Sequence, residues 1–298
     1  MARHGFSEFR TLGRAAVAAA ALLALSAPLP LRAETVPTEQ STVASAEARA
    51  LFDVMRLSEV LSVMRAEGEE YGATLETDMF PGQGGAAWAA KVQSIYDLPR
   101  MEARFADAFV AAIGDNAAAT AKAAEFFASD LGQRILTLEI KARRALLDDA
   151  AEDAAKIAWL QIEADEAGRA ERLRAFAEAN DLIESNVQGT LNANLAFFRG
   201  MAEGGAIGPE VAEDEMLSNV WAQEDSVRQQ TAEWLFPYLA LAYEPLSAAD
   251  LDAYTAFSAS AEGRALNGAL FAAFGALFED ISFALGAAVA VQMQGQDI

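Results

Sequence analysis

The 298-residue chain contains no cysteine and a single histidine, His4. Without thiols there is no disulfide framework, no thiol nucleophile and no soft metal ligand. Beyond residue 33 there is no histidine either, which excludes a Ser-His-Asp triad, a Cys-His dyad, His or Cys zinc sites, His-ligated haem and blue copper. Lysine is scarce there too, limited to Lys91, Lys122, Lys141 and Lys156. Basic residues number 22 against 44 acidic ones, a net charge of -22. This balance excludes a generic nucleic-acid binder and electrostatic attachment to anionic lipid. No segment spells a phosphate-binding G-x-x-x-x-G-K-[ST], a G-x-S-x-G elbow or a D-x-[DN]-x-[DN]-G calcium loop. Gly82-Gln83-Gly84-Gly85 has no following Lys-Ser and reads as a turn. Carboxylate pairs, a Ser-Lys dyad and oxygen-ligated Ca²⁺ or Mg²⁺ are the chemistries left.

What is present begins with an export signal. Arg3, Arg10 and Arg14 form a basic leader, Ala15 to Ala27 is a weakly apolar run, and Pro28 and Pro30 end it. The run is too short to span a bilayer, and Leu31-Arg32-Ala33 before Glu34 reads as a cleavage site. A cleaved signal peptide over residues 1–33 predicts a periplasmic protein. Cleavage removes Arg3, Arg10, Arg14, Arg32 and Glu8, leaving 18 basic and 43 acidic residues and a net charge of -25.

Hydrophobic residues make up 53% of the chain, far too many for a disordered polymer. Ala, Leu, Glu, Arg and Met recur with helical period, and Val and Ile never alternate with polar residues. The expected fold is all-α. Residues 34–46 read as a polar leader, followed by one helix from about Ala46 to Tyr71 and another over about Ala86 to Ile113. A helix beginning at Ser129 is expected to run as far as Asn180. Residues 161–180, crowded with Glu163, Asp165, Glu166, Arg169, Glu171, Arg172 and Arg174, read as a charged, solvated bridging helix.

An offset of 131 residues superposes the two halves. It places Leu51 on Leu182, Met64 on Leu195 and Phe105 on Phe236. Most distinctively, it lays Phe126, Ser129 and Gly132 on Phe257, Ser260 and Gly263. This predicts a tandem duplication of a four-helix unit, over residues 47–160 and 181–298. The shared Phe-x-x-Ser-x-x-Gly element reads as a tight helix corner. Ser caps the second helix, Asp130 or Glu262 sits in its first turn, and Gly lets the preceding helix approach. An anion held at that corner is the functional alternative, with Arg264 offsetting the local acid.

The segment from Ser247 to Arg264, an aromatic-bearing helix running through Tyr254 and Phe257 into Ser260-Ala261-Glu262-Gly263-Arg264, resembles a bacterial family of exported helical proteins catalogued as domain of unknown function 2059. The resemblance covers about 50 residues per copy and is closer in the second. Family members usually carry Pro after the Ser, where this chain has Asp130 and Ala261. The resemblance implies an all-helical periplasmic fold and carries no activity or site.

Asp148-Asp149 and Glu279-Asp280 fall at matching positions of the two copies, either as a cation or amine site or as a solvated helix face. Gly268, Ala272, Gly275, Glu279, Ser282 and Gly286 form a stripe of small residues that predicts close packing against another helix or a partner. Leu266, Leu270, Phe274, Leu277 and Ile281 mark the last helix as a core helix, with Glu279 and Asp280 arguing against a membrane span. No catalytic, cofactor-binding or metal-binding residue is assigned. The expected function is a non-enzymatic scaffold, adaptor or interaction module with an unidentified protein partner. The alternatives are a carrier of a small apolar or lipid-like ligand and a carboxylate-based glycan-active enzyme.

Overall fold

The computed structural model describes residues 39–114, 116–208 and 211–295, with side chains from Ala46 onward. The signal segment and its cleavage site lie outside these residues. Among the described residues every regular element is a helix and no strand occurs.

The first expected helix is two helices, α1 (Glu39–Val54) and α2 (Leu57–Met79), and α1 begins inside the supposed polar leader. They break at Arg56, which adopts a left-handed backbone at φ 56°. Such a conformation costs a non-glycine residue about 1–2 kcal/mol. It is held by the guanidinium, which donates to both Glu59 carboxylate oxygens at 2.7 and 2.9 Å and to Thr137 Oγ1 at 2.7 Å. The second expected helix also divides, into α3 (Gly85–Ile95) and α4 (Leu98–Ile113). Asp97 accepts from the Arg100 N–H at 3.2 Å and Pro99 occupies the first turn, where its missing N–H costs nothing. Asn116 caps α5 (Ala117–Ala128).

The long helix expected from Ser129 to Asn180 is three: α6 (Asp130–Ala145), α7 (Asp149–Asp165) and α8 (Ala167–Ala179). Asp148 starts α7 by accepting from the Ala151 N–H at 3.1 Å. The bridging helix over 161–180 is therefore the end of α7 joined to α8, and it is not solvated all round. Ala170, Leu173, Phe176 and Ala177 of α8 are buried, so the charges occupy one face and a short apolar stripe faces the core. The chain continues through α9 (Leu182–Glu203), α10 (Glu213–Trp221), α11 (Glu224–Tyr243, containing Pro237), α12 (Ala248–Ser258) and α13 (Ala261–Gln294). Ser247 and Asp250 form a reciprocal capping box at α12.

Shifted by 131 residues, α2 to α6 fall on α9 to α13 in order, and α1 falls on α8. Arg56 and Asp181, the two non-glycine residues with positive φ among those described, stand immediately before α2 and α9. In the order of the chain, α1 to α6 precede α7 and α8 to α13 follow it.

The halves interlock. Phe105 of α4 packs edge-on against Phe274 of α13 at 4.6 Å, and Trp159 of α7 stacks on Phe236 of α11 at 5.0 Å. Ion pairs Arg104–Asp280 and Arg134–Asp250, each 2.5 Å, cross from the first half to the second. One hydrophobic core draws on every helix from α1 to α13. At its centre runs α13, which is long and apolar enough, by length and composition, to cross a membrane. Here it is a core helix flanked by α4, α5 and α9, with Leu266, Leu270, Phe274, Leu277 and Val289 buried.

Candidate functional site

The two Ser-Gly corners are built as structural elements. Ser129 Oγ accepts from the Gly132 N–H at 3.1 Å and donates to the Phe126 carbonyl at 2.6 Å. Ser260 repeats this with Gly263 at 2.9 Å and Phe257 at 2.6 Å. A Cβ on Gly132 would run into the Phe126 carbonyl, and one on Gly263 into the Phe257 carbonyl. The two corners then meet, with the Phe126 and Phe257 rings stacked at 4.2 Å and 7°. The Ser hydroxyls occupy the helix N-termini, and Arg264 donates to the Ala259 carbonyl rather than facing an anion.

Behind the corners lies a buried polar cluster that sequence reasoning did not isolate. Glu139 of α6 is fully enclosed and accepts hydrogen bonds from the Tyr243 hydroxyl at 2.6 Å and the Tyr254 hydroxyl at 3.3 Å. Burial pushes its carboxyl up to about 7, although both tyrosine hydrogen bonds pull the other way. Burial, then the charge of Glu139, raises the Tyr238, Tyr243 and Tyr254 hydroxyls well above their usual range. One turn along α6, buried Arg143 forms a two-pronged ion pair with Glu67 of α2 at 2.7 and 2.8 Å. The adjoining cavity, lined by Met55, Leu57, Phe127, Leu136 and Leu270 with Glu139, Arg143, Tyr238 and Tyr254, measures only about 20 Å³. That holds one water and no organic substrate. The cluster is a structural network.

A larger opening lies between α9 and α13. These helices run parallel, as their contacts show in order: Asn267 donates to Asn180, Gly200 approaches the Phe283 carbonyl, Gly286 approaches the Phe197 carbonyl, and Gly204 meets Ala290. Between the Asn contact and the glycine contacts the helices leave a cleft of about 210 Å³. Its walls are Phe271, Phe274 and Phe278 with Gly189, Ala193, Ala272, Gly275 and Ala276. Its polar groups are Ser185, Gln188, Thr190, Asn192 and Glu279. Thr190 is 1% exposed and its hydroxyl has no hydrogen-bond partner.

The small-residue stripe of α13 is therefore divided. Gly286 serves close packing on α9, as expected. Gly275 does not, and neither does Gly189 opposite, because a Cβ at either position meets nothing within 4 Å. A mid-helix glycine is about 1 kcal/mol less favourable than alanine. At Gly200, Gly263 and Gly286 close contacts account for that cost; at Gly189 and Gly275 the result is an open cleft.

The two carboxylate pairs have different settings. Asp148 caps α7 and Asp149 lies in its first turn, because α6 stops where α13 continues. Asp280 pairs with Arg104 of α4, whereas Glu279 stands at the cleft rim with no ion-pair partner among the described residues. Partial burial and the adjacent Asp280 push the Glu279 carboxyl above its ordinary value, with Arg199 and Arg104 opposing. Both of those arginines are engaged, with Glu213 and Asp280 respectively. Glu213, Asp214 and Glu215 occupy the first turn of α10, where the helix dipole favours acids.

Comparison with protein-family models, curated proteins and solved structures finds no match for this chain.

Proposed function

We propose that the chain is an exported, non-catalytic binding protein of the periplasm, built by tandem duplication, whose second half holds a small ligand between α9 and α13. The observation that carries this reading is the cleft itself: about 210 Å³, walled by three phenylalanines and kept open by two glycines that no neighbour requires. A cavity of about 150 Å³ accommodates benzene, so the space suits a body of one ring. A full lipid chain would not fit. The non-catalytic part rests on the lining. Carboxylate-pair chemistry needs two acids facing one another across the substrate, and Glu279 is the one carboxylate lining this cleft. Duplication is supported by the shared helix order and the matched Ser-Gly corners. Export is supported by the composition of residues 1–33.

The test is fluorine NMR of the mature chain titrated with 2-(4-fluorophenyl)ethanol, a neutral single-ring probe. Saturable broadening or shift of the probe resonance is expected, and Gly275→Leu, which fills the cleft from a position with room for a side chain, should remove it. An unchanged titration in Gly275→Leu would contradict the reading.

A second reading, a scaffold or adaptor for another protein, draws on exposed apolar side chains. Leu217 and Trp221 lie one turn apart on α10, and Ile157 and Leu160 do so on α7, with Leu160 63% exposed. Crosslinking in the exported compartment, with and without Trp221→Ser, tests it.

A further inference from the structure

We infer that the α9–α13 cleft selects a small organic cation, an ammonium carried on a single-ring or comparably compact apolar body. The inference rests on the ligand-binding reading above and specifies its chemistry. The cleft is lined by one carboxylate, Glu279, and by no Lys or Arg side chain. The neighbouring basic groups are neutralised in place, Arg104 by Asp280 and Arg199 by Glu213. Glu279 is thus the unpaired charge at the rim, and an ammonium is its natural complement. Phe271, Phe274 and Phe278 offer ring faces and edges to an apolar body, and aromatic faces attract a cation as well. The unpartnered hydroxyl of Thr190, in the same lining, is a buried polar group that a ligand N–H can satisfy. The whole molecule, at a net charge of -22, repels anions and draws cations toward such an opening.

The carboxylates at the corresponding position of the first half are placed differently. The equivalent stretch of the first half ends α6 at Ala145, and Asp148 is consumed as the cap of α7. α13 carries its helix past the corresponding position, so its carboxylate stands beside the α9–α13 cleft.

The experiment uses three matched probes on the mature chain at pH 7.5: 2-(4-fluorophenyl)ethylammonium, 2-(4-fluorophenyl)ethanol and 3-(4-fluorophenyl)propionate, each titrated by fluorine NMR. The ammonium should bind at least fivefold more tightly than the alcohol at low salt, and the propionate more weakly than either. The preference should shrink at 0.5 M salt, as expected for a rim charge. Glu279→Gln, a substitution at an exposed position, should bring the ammonium down to the affinity that the alcohol shows in the same variant. Equal binding of ammonium and alcohol, or an undiminished preference in Glu279→Gln, would overturn cation selection and leave the cleft a neutral binding site. Absence of binding by all three probes would overturn the cleft reading together with this inference.

Discussion

Replacing Glu139 by glutamine should make the protein more stable at neutral and alkaline pH. In the unfolded chain this carboxyl titrates at its ordinary value near 4.5, and in the folded protein at about 7. Below pH 4.5 it is protonated in both states and contributes no pH-dependent difference. Between 4.5 and 7 the unfolded chain ionises while the folded protein does not, so unfolding releases a proton and stability falls as pH rises. Above 7 the full cost of the buried anion is present. Each tenfold in proton affinity corresponds to about 1.4 kcal/mol, so the penalty is on the order of 3 kcal/mol at pH 8. Glutamine keeps an oxygen to accept from the Tyr243 and Tyr254 hydroxyls and carries no charge. Urea unfolding of wild type and Glu139→Gln, followed by tryptophan fluorescence, should give similar stabilities at pH 4.5. At pH 8 the variant should be the more stable by about 1–3 kcal/mol. Other shifted groups, among them Asp181, Glu184 and Asp250, act equally in both proteins and cancel. A difference between the two proteins that does not vary with pH would show that Glu139 is ionised in the fold throughout, and the burial argument would fail.

At the duplicated corner, Gly263→Leu should lose about 1–3 kcal/mol by collision with the Phe257 carbonyl, and Ser260→Ala about 0.5–2 kcal/mol through the lost cap. A wild-type melting temperature for Gly263→Leu would refute the packed corner. Arg143→Met should cost about 3–5 kcal/mol because it strands the carboxylate of Glu67, whereas adding Glu67→Met should recover much of that loss. Denaturant titration of the single and double variants decides, and an additive double variant would contradict the pairing. Exported protein should begin at Glu34, and N-terminal sequencing that returned Met1 would exclude the expected cleavage.

The all-helical class and the core role of α13 were legible because both are written in periodicity. So was the Ser-Gly corner, since a cap and a close approach demand particular residue types three positions apart. The helix breaks were harder. Arg56 has no breaker chemistry of its own, and its side chain is held by Glu59 nearby and by Thr137, 81 residues away. Asp148 reads with Asp149 as a cation site or a solvated face, whereas it caps α7. The charge density of 161–180 hid four small or apolar residues that form the buried stripe of α8. Glu139 was invisible because burial is a tertiary property and nothing local marks a carboxylate that two distant tyrosines enclose. Gly275 was singled out with Gly286 in one stripe, but sequence cannot distinguish a glycine that admits a neighbouring backbone from one that faces empty space. That distinction depends on what α9 presents at each level, and it defines the site.

Methyl NMR of the mature chain, labelled on alanine and titrated with 2-(4-fluorophenyl)ethylammonium, locates the ligand most directly. Ala193, Ala272 and Ala276 line the cleft, whereas Ala155 lies buried on α7. Saturable shifts at the first three methyls, with Ala155 unmoved and all three silent in Gly275→Leu, are the expected result. Shifts confined to methyls on α7 or α10, beside the exposed apolar side chains, would place binding on the outer surface and contradict a ligand held between α9 and α13.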